Sequence, residues 1–196
     1  MNKAIIKDCL ILFVITLIAG AALGVVYDVT KAPIAAQEAK KKEEAQKGVF
    51  ADADSFDSIE LDDAVLAEVQ TNGVTIDEAY DAVAGGAHAG YVIQATSPNG
   101  YGGDITLMVG VTADGTCNGY SLLTIAETAG LGMNAQKAEW AAQYAGKTVE
   151  AFEVTKTGAS ADNQIDAISG ATITSKAVTE AVNACLAYAA ALEGGN

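Results

Sequence analysis

The sequence predicts an α+β protein: an N-terminal transmembrane helix, then an antiparallel-sheet domain with flanking helices. Three observations carry this. Cys9 to Tyr27 is a run of 19 residues without a charge, dense in Ile, Leu, Val and Phe. Between residues 89 and 126, extended stretches alternate with turn clusters, the pattern of hairpin-connected strands. Finally, Ile173, Ala177, Val178, Ala181, Val182, Cys185, Leu186 and Ala189 recur at three- and four-residue steps, one face of an amphipathic helix.

The apolar run would span about 28 Å as a helix, close to the hydrocarbon thickness of a bilayer. Lys3 and Lys7 with Ala19-Gly20-Ala21 also resemble a cleavable signal peptide. The run continues past that site to Val26 and Tyr27, which favours an uncleaved anchor. Gly20 and Gly24 form a GxxxG pattern that lets another helix approach closely. Lysines stand on both sides of the segment, so the positive-inside rule gives a mixed vote on orientation.

Beyond the anchor, Pro33 is placed to open a second helix. Residues 34–47 (IAAQEAKKKEEAQK) are strong helix formers and read as a stem. Gly48 to Asp63 is acidic and aperiodic, with Phe50 and Phe56 as packing points. The chain thus divides into residues 1–8, a membrane helix at 9–27, a helical stem and linker at 28–63, and an outer domain at 64–196.

In the outer domain a Gly-rich turn around His88 precedes a strand at Ala89–Thr96. The Ser97–Gly100 turn and Tyr101-Gly102-Gly103 lead into a strand at Asp104–Thr112. Ala113-Asp114-Gly115-Thr116 is a hairpin signal, returning the chain antiparallel over Cys117–Ala126. A helix at Ala135–Tyr144 carries Trp140, and a strand at Ala151–Lys156 precedes the last turn and helix. Strands paired antiparallel, with helices set to one side, make an α+β domain.

Composition excludes several functions. The net charge is −14, and all basic residues are lysine. Residues 48–196 hold 4 lysines against 20 acids, a net of −16, so the domain repels nucleic acid and anionic bilayers. The charge reads first as solubility and only then as steering of a cationic partner. Cys9, Cys117 and Cys185 show no metal-ligand spacing, and His88 is the one histidine, so no metal site or nucleophilic triad is expected.

The most informative stretch is Asp166-Ala167-Ile168-Ser169-Gly170-Ala171-Thr172, where a small-residue turn opens the last helix. Ser169 or Gly170 sits where an N-cap belongs, placing Thr172 in the first turn. Free N–H groups and the positive end of the helix dipole gather there, which suits a phosphate. The chemistry available is a phosphate at a threonine hydroxyl, as a bound ion or as a covalent ester. A second stretch, Glu127-Thr128-Ala129-Gly130-Leu131-Gly132, follows a strand, and its glycines allow close approach to a ligand.

Asp166 to Thr172 matches the Asp-x-x-Ser/Thr-Gly-Ala-Thr signature read by flavin transferases. The chain resembles the FMN-carrying G subunit of the Rnf complex, an ion-translocating ferredoxin:NAD oxidoreductase. It is also similar to the homologous C subunit of the sodium-pumping quinone reductase, whose members tend to be longer. The Glu127–Gly132 loop resembles the family's Glu-Thr-Pro-Gly-Leu-Gly, with Ala129 in place of the rigid proline. The Gly100–Gly103 run and Trp140 follow the family's order, so the likeness covers residues 98–192, about half the chain.

The resemblance implies FMN joined by a phosphoester to Thr172, with Ser169, Gly170 and Ala171 beside it. It implies flavin contact by Glu127, Thr128, Gly130, Leu131 and Gly132, with Leu131 supporting the ring. Asp166, Ser169, Gly170, Ala171 and Thr172 would be recognised by the flavin transferase. The expected role is an electron-transfer subunit of a translocase, with partners in the other membrane subunits and no turnover by the isolated chain. The resemblance further implies a single-pass protein of the cell membrane, with residues 1–8 cytoplasmic and the C-terminal domain extracytoplasmic. The alternatives are an anchored FMN carrier for another extracytoplasmic pathway, or a non-redox anchored binding module.

Overall fold

A computed structural model of the chain describes residues 3–69 and 72–194. They form two compact units, one ending at Lys42 and one starting at Glu43. The first unit is helix α1 (Lys3–Val49) up to that point, and it is long and apolar enough to cross a membrane. Its large apolar side chains, Leu10, Phe13, Leu17 and Ile18 among them, are all exposed. The hydroxyls of Thr16 and Thr30 donate back to the carbonyls of Leu12 and Val26, which leaves neither hydroxyl proton unpaired in an apolar setting.

Two expectations about this region are corrected. Membrane helix and stem are one helix of 47 residues, with Pro33 inside it rather than opening a second. Proline removes one donor and crowds the preceding turn, but the strong helix formers that follow carry the helix on. The second unit also begins at Glu43 rather than at residue 64. Ala45, Val49 and Phe50 are buried in it, so the end of the expected stem belongs to a core.

The domain is a six-stranded antiparallel meander in the order β1-β2-β3-β4-β5-β6. The strands are β1 (Ser55–Ile59), β2 (Thr75–Ala84), β3 (Ala87–Ser97), β4 (Ile105–Thr112), β5 (Thr116–Thr124) and β6 (Lys147–Thr148). Helix α2 (Asp63–Glu68) lies between β1 and β2 in sequence. The hairpin β4–β5 forms as expected, but β1, α2 and β2 were not foreseen. In β2 the buried residues are Ile76, Ala79 and Ala82: the register shift after Ile76 puts Ile76 and Ala79 in one core, and Ala82 enters the core on the opposite face. A bulged strand loses the two-residue alternation by which strands are recognised. His88 lies within β3, not in a turn; the turn is Gly85-Gly86.

Alternate residues of the sheet enter two cores. On one face Tyr91, Ile93, Ala95, Leu107, Val109 and Val111 pack on helix α4 (Thr172–Gly194) through Val178, Ala181, Val182, Cys185 and Ala189. On the other, Val92, Met108, Ala82 and Leu123 meet Ala45, Val49 and Phe50. Each fully buried aliphatic side chain contributes about 1.5–3 kcal/mol, so the two-sided strands β3 and β4 anchor the domain.

The helix expected at Ala135–Tyr144 is shorter and divided. A 3-10 helix (Gly132–Gln136) and a single turn, α3 (Ala138–Ala141), are separated by Lys137 in extended conformation. The strand expected at Ala151–Lys156 is β7 (Glu153–Thr155), and it pairs in parallel with β8 (Gln164–Asp166) in a separate small sheet.

Candidate functional site

Helix α4 begins at Thr172, which makes Ala171 the capping position rather than Ser169 or Gly170. The first intrahelical bond runs from Ser175 N–H to the Ala171 carbonyl at 3.0 Å. The turn before it is closed by Ala171 N–H donating to the Ile168 carbonyl at 2.9 Å, with Gly170 at φ +75°. That conformation is open to glycine and strained for other residues. Alanine has no capping side chain, so the N–H groups of Thr172, Ile173 and Thr174 have no acceptor within the helix.

Ser175, fully buried, staples this turn. Its hydroxyl donates to the Ala171 carbonyl at 2.9 Å and accepts from Ile168 N–H at 2.9 Å. Upstream, Asp166 is fixed at three points. Its N–H donates to Gln143 Oε1 at 2.7 Å, its carbonyl accepts from Trp140 Nε1 at 2.7 Å, and its Oδ1 accepts from Ala159 N–H at 2.7 Å. Trp140 stands edge-on to Tyr120 and Tyr144, and Tyr144 is edge-on to Phe152. Tyr120 donates to the Ala135 carbonyl at 2.6 Å, and Tyr144 shares a bond with Thr179 at 2.7 Å. Burial pushes both phenols far above their ordinary value, so they stay neutral.

The second motif approaches the same helix end. Leu131 N–H and Met133 N–H both donate to the Thr128 carbonyl, closing a turn with Gly130 at φ +78°. Glu127 is 9% exposed, and its Oε1 accepts from Tyr101 N–H at 2.7 Å and Gly102 N–H at 3.3 Å. Gly132 fits between Glu127 and Thr174: a Cβ there would lie 2.6 Å from Thr174 Oγ1 and 2.7 Å from Glu127 Oε2. One carboxylate thereby joins the Gly100–Gly103 turn to the loop beside α4.

Together these elements enclose a pocket of about 430 Å³, lined by both motifs. Of the residues singled out from the sequence, Glu127, Thr128, Leu131, Gly132, Gly170, Ala171 and Thr172 line it. Gly130, Ser169 and Asp166 do not: Gly130 shapes the turn, Ser169 is exposed on it, and Asp166 holds Ala159. Tyr101, Ile173 and Thr174 complete the lining and were missed. Tyr101 had a signal, lying between the glycines of a motif read only as a turn. Tyr101, Leu131 and Ile173 are 72%, 42% and 52% exposed, an apolar rim around a polar floor.

The pocket fits a phosphate-bearing, partly apolar group. Its lining includes the first turn of α4 with open N–H groups and the Thr172 hydroxyl, together with the apolar surface of Leu131 and Ile173. Among the described residues lining it there is one carboxylate and no lysine, arginine or histidine. Among the described residues no cluster of three or more metal-ligating side chains occurs.

This is the fold of an FMN-binding domain carried behind an apolar helix. Residues 100–187 match the FMN-binding domain family, and residues 1–47 match the RnfG N-terminal region. The G subunit of the Na(+)-translocating ferredoxin:NAD(+) oxidoreductase complex of Acetobacterium woodii is 33% identical over 92% of this chain and 89% of its own. Its counterpart in the proton-translocating complex of Clostridium ljungdahlii is 35% identical over 91% and 88%. The G subunit of the ion-translocating oxidoreductase complex of Methanosarcina acetivorans is 32% identical over 98% of each. Shewanella oneidensis NqrC, a solved structure, aligns at TM-score 0.46 and 22% identity over 54% of this chain and 53% of its own. The chain belongs to the G-subunit family of ion-translocating ferredoxin:NAD oxidoreductase complexes.

Proposed function

We propose that this chain is the membrane-anchored flavoprotein subunit that passes electrons within an Rnf-type, ion-translocating ferredoxin:NAD oxidoreductase. In this reading α1 crosses the membrane once and the domain lies on the extracytoplasmic face. FMN is joined through its phosphate to the Thr172 hydroxyl by a flavin transferase, and the other membrane subunits are the working partners. The observation that carries the reading is the convergence of both motifs on one pocket at the uncapped start of α4.

The division of labour follows from the residues. Thr172 supplies the attachment oxygen, and the N–H groups of the first turn orient the phosphate without having to supply the affinity. With no arginine in the chain, strong bidentate clamping of a phosphate is absent, and a covalent bond prevents loss of the group by dilution. Leu131 and Ile173 offer apolar contact, while Thr128 and Tyr101 offer polar edges. Bound there, FMN supplies one- and two-electron chemistry, and the protein supplies position and electrostatics. The exposed rim leaves the group accessible to successive partners.

The test uses membranes of a host lacking its own copy of this subunit. Wild-type chain restores ferredoxin-dependent NAD reduction, and Thr172→Ala, though inserted to the same level, does not. Equal restoration by both would contradict the reading.

A further inference from the structure

Resting on that reading, we propose that Glu127 sets the reduction potential of the flavin in this pocket, its fixed negative charge holding that potential low. Its carboxylate has a definite place. Oε1 is held by two backbone N–H groups, from Tyr101 and Gly102, and Oε2 faces the vacant side of Gly132. At 9% exposure it is largely withdrawn from solvent, so its field reaches the pocket with little screening by water or salt. No cation opposes it among the described residues lining the pocket. The lysines of the domain, Lys47, Lys137, Lys147, Lys156 and Lys176, are all outside that lining.

A buried charge in such a site acts on whichever state of its neighbour carries more negative charge. Reduction adds electrons to the group sharing the pocket, and a carboxylate opposes that gain. The dipole of α4 acts at the phosphate end and falls off within its first turn, so it does not cancel the effect at the ring. Glu127 is a positioning residue for the Tyr101 turn as well, and the two roles separate by substitution. Glutamine keeps an oxygen that accepts both N–H groups and removes only the charge. Aspartate keeps the charge and loses the reach.

The experiment is spectroelectrochemical titration of full-length, flavinylated chain in detergent. Glu127→Gln moves the oxidised-to-reduced ratio at fixed applied potential toward reduced by about tenfold, ~30 mV for a two-electron couple. Glu127→Asp stays near wild type, although its flavin fluorescence anisotropy falls as the Tyr101 turn loosens. An unchanged potential in Glu127→Gln, or equal rises in both variants, overturns the proposal. Should Glu127→Gln fail to fold, Glu127→Asn against Glu127→Asp asks the same question, because the two share a shape and differ in charge. Only the asparagine raises the potential if the carboxylate governs it, and equal potentials overturn it. A colourless wild-type chain would instead overturn the FMN reading itself.

Discussion

The Leu131 side chain rests against Gly170: a Cβ added at Gly170 would lie 3.0 Å from Leu131 Cδ2. This contact joins two motifs from distant parts of the chain, and it separates the roles of two glycines. Gly170→Ala meets only the end of a flexible side chain, so its cost comes from the left-handed backbone, about 1–2 kcal/mol. Gly132 lies outside the left-handed region, but Gly132→Ala strikes Glu127 and Thr174, an overpacking cost of about 1–3 kcal/mol. Both variants lower the denaturant midpoint. Both glycines line the pocket, but only Gly132→Ala displaces Glu127 or Thr174, so it reduces flavin retention more than Gly170→Ala when free FMN is supplied to Thr172→Ala protein.

Trp140→Phe keeps the aromatic cluster and deletes only the indole N–H bond to the Asp166 carbonyl. A single neutral hydrogen bond is worth about 1 kcal/mol net. Urea unfolding of the domain, followed by tyrosine fluorescence, reads that loss. A loss near zero would mean that Gln143, which holds the other side of the Asp166 backbone, carries the turn alone.

Much of the site could be read from the chain because its two motifs are continuous in sequence, and helix periodicity placed Thr172 in a first turn. What could not be read is largely tertiary. Glu127 tied to Tyr101, and the Asp166 backbone held by Trp140 and Gln143, depend on contacts between distant segments. Ala171 as the cap and Asp166 turned toward Ala159 are set by turns without a capping signature. The fold shows the same division. The β4–β5 hairpin carries its own turn chemistry, whereas the bulges of β2 hide its alternation and Pro33 does not break α1.

His88 ties the central hairpin to the end of α4. Its Nδ1 lies 2.5 Å from Asp81, its Nε2 lies 2.7 Å from Glu193, and its ring is 4.8 Å from that of Tyr91. Partial burial lowers its pKa, but the bonds to Asp81 and Glu193 and their charges outweigh it, and the net shift is upward from 6.5. A raised folded-state value means that the stabilisation is fully present below about 6.5 and is lost as pH rises through the folded value. The melting-temperature advantage of wild type over His88→Gln therefore shrinks as pH rises above about 6.5. An advantage that grows with pH would contradict the ion-pair assignment.

Burial pushes the Cys117 thiol up to about 11 and the Cys185 thiol well above its ordinary value. Thiolate is the reactive form, so both are inert in the folded domain. Iodoacetamide at neutral pH leaves both unmodified in the full-length chain in detergent, and both react once the domain is unfolded. Peptide mass spectrometry distinguishes them from Cys9.

The central claim is the ester at Thr172. Trypsin cuts after Lys156 and Lys176, releasing one peptide, residues 157–176, that holds the whole signature and several other hydroxyls. Full-length chain co-expressed with a flavin transferase is digested, and that peptide is fragmented by tandem mass spectrometry. The account predicts a mass increase of one FMN less one water, localised to Thr172 and absent from the peptide of Thr172→Ala. An unmodified wild-type peptide, or FMN on Ser169 or Thr174 instead, would contradict it.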